Sequence, residues 1–242
     1  MTRANEWGQP VGAPVDWRAV EPLAPVRLTG RWVGLEPLAP EHAADLYDAA
    51  CGADRASYWT YLSDEMPTSP AGCRAYVEQR IANPGLESLA IRPAGRGVEG
   101  VASWLRGDPA NGSVEVGSII LAPSLQRTTA ATEATYLMAK HAFDQGYRRY
   151  EWKCDSLNEP SRAAARRLGF GYEGRFHNAV VYKGRNRDTD WFSITAEDWT
   201  VLAPAYERWL DRDNHDEHGR QRESLSALTA QALAGRSPNV TM

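Results

Sequence analysis

Two spacings of apolar residues alternate along this chain, and the change from one to the other marks out its elements. The clearest change falls within Glu115–Phe143. Val114, Val116, Ile119, Ile120 and Leu121 are strand formers that Pro123 stops, whereas Ala130, Ala134, Leu137, Met138 and His141 recur at a helical interval. The spacing predicts a strand, a tight loop and a helix beginning between Thr128 and Ala130. The first turn of such a helix carries unpaired N–H groups and the positive end of the dipole. The small residues Thr128, Thr129, Ala130 and Ala131 leave room there for an anionic group, which is the pattern of a phosphate-binding helix start.

The same reading orders the rest of the chain. Residues 1–29 hold Pro10, Pro14, Pro22 and Pro25 among scattered apolar anchors that include Trp7 and Trp17, which predicts an irregular arm packed on the domain. Arg31–Leu38 alternates as a strand, with Val33 and Leu35 on one side. Pro40-Glu41-His42 opens a helix through Ala50, and a second helical piece, rich in aromatics, covers Asp54–Leu62. Ser69-Pro70 caps and starts a helix over Ala71–Ile81. Strands at Ser88–Arg92 and Gly100–Arg106 follow, and Asn111-Gly112 is a hairpin signal leading into Ser113–Leu121, so these three strands are expected to be antiparallel neighbours.

Beyond the long helix, Gly146 is placed as a cap. Tyr150, Trp152 and Cys154 then alternate with Arg149, Glu151 and Lys153 in a strand expected to run parallel to the one ending at Leu121. Asn158-Glu159-Pro160-Ser161 begins another helix that Leu168-Gly169 stops. Phe170–Lys183 and Arg187–Ala196 read as extended, and a last helix is expected over roughly Pro204–Leu210, with a polar stretch and a weakly amphipathic segment from Leu225 to Leu233 after it. The result is an α/β (α+β) domain over residues 30–198 with a mixed sheet of about seven strands, followed by a C-terminal helical extension and polar tail over 199–242.

Composition narrows the function classes. At 43% hydrophobic and 24% charged residues the chain can bury a sizeable core, and a net charge of -4 argues against a broad nucleic-acid-binding face. Cys51, Cys73 and Cys154 are far apart in the sequence and match no zinc spacing, so reduced thiols in the cytoplasm are expected, with no metal. The N-terminal residues lack a signal-peptide run, and no apolar segment is long enough for a bilayer, so no membrane partner is expected. His215 and His218 have a metal-like spacing but lie in a polar segment without an evident third ligand, and read as solvated surface.

The strand, loop and helix of 115–134, together with Asn158-x-x-Ser161, Leu168-Gly169-Phe170 and Glu173-Gly174, resemble the GCN5-related N-acetyltransferase superfamily, in the branch similar to the ribosomal-protein N-terminal acetyltransferases. The resemblance covers about residues 28–198 and implies a sheet, mostly antiparallel, that splays in a V between its fourth and fifth strands. It also implies acetyl-CoA as cofactor, with the pyrophosphate at Gln126-Arg127-Thr128-Thr129-Ala130-Ala131 and Thr132 following. Thr129 stands where the family usually has glycine; its hydroxyl is expected to hydrogen-bond the phosphate.

The remaining roles follow from the same resemblance. Backbone groups of Ile119, Ile120 and Leu121 would pair with the pantetheine arm and hold the thioester carbonyl, and Asn158 would contact the cofactor. Glu115 stands where similar enzymes draw a general base, although a residue just after a hairpin can equally face solvent. Ser161 would give a proton to the leaving thiolate, and Cys154 reads as a buried, inert thiol. Trp59, Tyr61, Trp104, His177 and Tyr182 are candidates for the acceptor pocket. The expected acceptor is the primary amine of a small molecule. A peptide or protein N-terminus, or a catalytically silent acyl-CoA-binding module, are the alternatives, and the resemblance leaves room for a homodimer.

Overall fold

The computed structural model describes residues 3–217 and 220–235. Its main sheet has eight strands in the order β3 (Leu28–Thr29), β4 (Val33–Pro37), β5 (Leu86–Pro93), β6 (Gly100–Asp108), β7 (Ser113–Leu121), β8 (Arg149–Asp155), β10 (Arg185–Thr195) and β9 (Gly171–Tyr182). β7 and β8 pair in parallel; the other neighbours are antiparallel. The extra strand relative to the sequence expectation is the two-residue β3, too short to leave a pattern. β1 (Arg3–Ala4) and β2 (Pro10–Val11) form a separate ribbon in the arm.

Each face of the sheet has its own apolar core, as period-2 alternation dictates. On one face, Leu35, Trp104, Val116, Tyr150, Trp152 and Phe192 pack beneath α3 (Thr129–Asp144), α4 (Glu159–Arg167), α5 (Ala196–Leu210) and α6 (Leu225–Ala234). On the other, Ala90, Val101 and Ile120 pack beneath α1 (Ala43–Ala50) and α2 (Pro70–Ala82). Glu133 of α3 locks the edge of the sheet: its carboxylate accepts the backbone N–H groups of Arg31, Trp32 and Val33 at 2.8, 2.6 and 3.0 Å. Gly30 lies so close to this carboxylate that any side chain there would collide with it.

Two expectations need correction. α5 begins at Ala196, well before Pro204, because Thr195 and Asp198 form a reciprocal capping box. Pro204, expected at the start of this helix, sits inside it on the exposed side. The arm is only partly packed. Leu23 is buried and the Trp17 indole donates to Ala110 O at 2.6 Å, but Trp7 is 76% exposed. No helix among the described residues is long and apolar enough to cross a membrane. His218 lies outside the described residues, and among those described no group of acidic, His and Cys side chains could hold a metal ion.

Candidate active site

Strands β7 and β8 are joined by only three register pairs, Ser113 with Arg149, Val114 with Tyr150 and Glu115 with Glu151. Past Glu115 they part, and β7 runs on to Leu121 with no strand on that side. This is the splay expected between the fourth and fifth strands. The parting coincides with a bulge. Val101 pairs with Ile120 and Ser103 with Gly117, so Ser118 and Ile119 together face the single residue Ala102. Ser118 takes a left-handed conformation, φ 51°.

A buried arginine holds the bulge. Arg80 of α2 donates to Ser118 Oγ at 2.8 Å and Ser118 O at 3.0 Å, and also to Ser103 Oγ at 2.8 Å and Tyr76 Oη at 2.9 Å. Beyond the bulge, Ala122 N–H points at β6, donating to Glu99 O at 2.8 Å. Strand alternation therefore turns the backbone of Leu121 toward the gap. Its carbonyl accepts from Gln126 Nε2 at 3.0 Å, so Gln126 folds back on the strand end.

At the far end of the gap, Arg127 is left-handed at φ 61° and Thr128 caps α3. The Thr128 hydroxyl accepts from Ala131 N at 3.2 Å and donates to Leu125 O at 2.6 Å. Thr129 and Ala130 are left as first-turn donors without an intrahelical acceptor. Two such donors at a helix N-terminus suit an anionic group. Thr132 departs from the expected set, since it is 4% exposed and its hydroxyl is engaged by Arg167 at 3.2 Å and by Thr128 O.

The two candidate proton-handling groups flank the gap from opposite faces of the sheet. Glu115 lies on the α1/α2 face, 3% exposed, with Lys153 Nζ 3.1 Å and Arg106 Nε 3.4 Å from its Oε2. It is not a solvent-facing hairpin residue. Burial lifts the Glu115 carboxyl above the usual glutamate value, against the pull of Lys153 and Arg106. Neighbouring Glu151 suffers burial too, yet ends below its ordinary value because Arg149 and Lys153 both donate to it.

Ser161 lies on the other face, in the first turn of α4. Its Oγ accepts from Trp152 Nε1 at 3.0 Å, and its N–H donates to Asn158 Oδ1 at 3.2 Å, so Asn158 is the N-cap. Cys154 is beside it, and burial pushes that thiol up, as expected of an inert one.

The acceptor candidates divide. Tyr61 and Tyr182 both reach the β8–α4 loop, Tyr61 Oη donating to Leu157 O at 3.1 Å and Tyr182 Oη to Asp155 Oδ2 at 2.8 Å. Trp104 is a core residue, 1% exposed, on the face opposite Glu115. Trp59 also fills a core, its indole donating to Ala50 O and its ring set edge-on to Tyr76; its carbonyl accepts from Lys183 of the β9–β10 hairpin. His177 stands out on that hairpin, paired with Asp188 at 2.9 Å.

The model of the acetyltransferase (GNAT) domain matches residues 33–171. The chain belongs to the GNAT family. Among solved structures, a GCN5-related N-acetyltransferase from Brucella melitensis is 38% identical, with 89% of this chain and 99% of that one covered and a TM-score of 0.86. A probable acetyltransferase of the GNAT family from Chromobacterium violaceum ATCC 12472 is 33% identical over 78% of this chain and 96% of that one, TM-score 0.73. The Salmonella typhimurium acetyltransferase that modifies the N-terminal serine of ribosomal protein L7/L12 shares the fold at 22% identity, covering 69% of this chain and 96% of that one, TM-score 0.60. Among curated protein sequences no match emerges. The protein is thus a GNAT-type N-acetyltransferase, a family that uses acetyl-CoA.

Sequence reasoning missed Arg80 and Lys153. For Arg80 a signal exists: it continues the buried stripe Cys73, Tyr76, Val77 of α2, where a charge needs buried partners. For Lys153, alternation assigns the face but not the carboxylates that meet there.

Proposed function

We propose that this enzyme transfers the acetyl group of acetyl-CoA directly to the primary amine of a small molecule, with Glu115 as base and Ser161 as acid. The observation that carries this is the parting of β7 from β8 immediately past Glu115, with the two groups on opposite faces of the opening. Bound acetyl-CoA would supply an activated acyl carbon and a sulfur leaving group. The cradle of Gln126, Arg127, Thr128, Thr129, Ala130 and Ala131 would hold its phosphates, and the exposed backbone of Ile119–Leu121 its pantetheine arm.

Glu115, its carboxyl raised by burial, takes the proton of the incoming amine. Ser161 accepts from the Trp152 indole, lies beside the Cys154 thiol, and would turn its O–H to the departing sulfur. One observation favours a second reading, a peptide N-terminus as acceptor. The helices that pack on β8, β9 and β10 lie on the face away from Glu115, and Phe176 on the Glu115 side is 56% exposed, so this end of the site is open.

The test is release of free thiol from acetyl-CoA with a panel of small amines and short peptides. Turnover that collapses in Glu115→Gln supports the reading. Thermal stabilisation by CoA without turnover on any acceptor points to a silent binding module, and no stabilisation at all refutes both.

A further inference from the structure

We propose that Lys153 is a positioning residue for acetyl transfer, a pinned ammonium that aims the Glu115 carboxylate into the gap between β7 and β8 and holds its charge there. The inference rests on the reading of Glu115 as base.

Lys153 follows Glu151 by two positions on β8, so both side chains stand on the Glu115 face. Its Nζ lies 3.1 Å from Glu115 Oε2, 3.0 Å from Glu151 Oε2 and 3.4 Å from the centre of the Trp191 ring. Trp191 is its register partner on β10, and the side chain is only 7% exposed. Two carboxylates and a ring face thus engage the ammonium, and the buried stem prevents it from swinging out to water. A lysine held this way keeps one position beside Glu115.

The consequence for Glu115 is directional. Oε2 is the oxygen at ion-pair distance from Lys153 and Arg106, and Oε1 is the one turned toward Gly117. Oε1 lies over Gly117, where an added Cβ would come within 3.0 Å of it and 3.1 Å of Leu105. Glycine at 117 therefore keeps the approach to Oε1 open at the point where the strands part. The charged groups around Glu115 are Arg106 from β6, Lys153 and Glu151 from β8, Arg149 behind Glu151 with Glu173 of β9 behind that, and Arg80 of α2 further along β7. Of the two cations that reach Glu115, Arg106 is 58% exposed. Lys153 is the one shielded from solvent and salt.

The experiment is the pH profile of kcat/KM for wild type, Lys153→Met, Glu151→Gln and Glu115→Gln. Methionine keeps the buried stem and removes the charge, so the acid limb should move up by about one pH unit, cutting kcat/KM about tenfold on the limb and far less on the alkaline plateau. Glu151→Gln gives Glu115 sole claim on the ammonium, so its limb should move down. A limb unmoved in both variants, or moved in the same direction in both, overturns the proposal. So does a loss in Lys153→Met that is equal at every pH. If Lys153→Met fails to fold, Glu151→Gln decides alone by the sign of its shift. Full activity in Glu115→Gln would instead overturn the reading of Glu115 as base, whatever the other profiles do.

Discussion

Replacing Arg80 tests whether the bulge is built for the cofactor or is incidental to packing. Arg80 makes four hydrogen bonds that tie α2 to β6 and β7. In Arg80→Met, Ser103 Oγ retains Ser88 Oγ at 2.8 Å, and Tyr76 Oη retains a long contact to Asp64 at 3.4 Å. The groups left without a donor are Ser118 O and Ser118 Oγ. Two stranded acceptors at ~1–3 kcal/mol each are partly offset by no longer burying a guanidinium, which leaves a net loss of about 2–3 kcal/mol. For a chain of this size that lowers Tm by roughly 4–12 °C.

The kinetic effect should be larger than the stability effect implies. Ser118 at φ 51° is a strained conformation for a residue with a side chain, of order 1 kcal/mol, and without Arg80 the strand can relax toward regular pairing with β6. The exposed backbone of Ile119–Leu121 would then turn away from the gap, so KM for acetyl-CoA should rise by about tenfold or more, the equivalent of ~1.4 kcal/mol. Arg80→Lys keeps the charge but not the fork that reaches two strands at once, and should lose nearly as much. Differential scanning fluorimetry and steady-state kinetics read both quantities. A lowered Tm with unchanged KM for acetyl-CoA would refute the link between Arg80 and the cofactor slot, and an unchanged Tm would refute the hydrogen-bond argument itself.

Three further outcomes are expected. Thr129→Val keeps the shape at the loop mouth and deletes the hydroxyl; KM for acetyl-CoA should rise by about threefold to tenfold for one lost hydrogen bond to a phosphate, and a fall in KM in Thr129→Gly would show that Thr129 obstructs instead. Glu133→Gln puts an amide donor against a backbone donor at the β3–β4 turn, so urea denaturation should show a loss of about 2–3 kcal/mol with kcat nearly unchanged, and a loss of activity at full stability would contradict the structural role. The hydrogen bonds from Arg149 hold Glu173 below its ordinary value of 4.5. Its stabilisation is therefore complete above that value and disappears as pH falls through the depressed one, and the Tm difference between wild type and Glu173→Gln should close on acidification; a difference that widened would refute the sign.

Most of the fold was legible because local signals agreed. Ser69-Pro70, Asn111-Gly112, Asn158 and Leu168-Gly169 each name a boundary through backbone chemistry that tertiary contacts did not overrule. Pro204 shows the limit, since a capping box earlier in the chain outweighed it. The loop proposed for the cofactor is a contiguous stretch, so its helix start could be read locally. The surroundings of Glu115 were not, because Arg106, Lys153, Glu151 and Trp191 come from four strand positions whose register no local pattern fixes. Core and pocket were both open for Trp59 and Trp104 for a related reason: an aromatic in an amphipathic segment carries no mark of which face of the sheet it will fill.

The three-pair junction between β7 and β8 also bears on how the molecule comes apart. Strands β4–β7 on one side of it and β8–β10 on the other are held by ladders of five to eight register pairs, so the three-pair ladder between them is the weak line of the sheet's interior. The seam is therefore the place where the sheet opens first. Under rising denaturant the enzyme should therefore lose turnover before it loses ellipticity, with the cofactor slot as the first casualty and bound acetyl-CoA acting as a clasp across the seam.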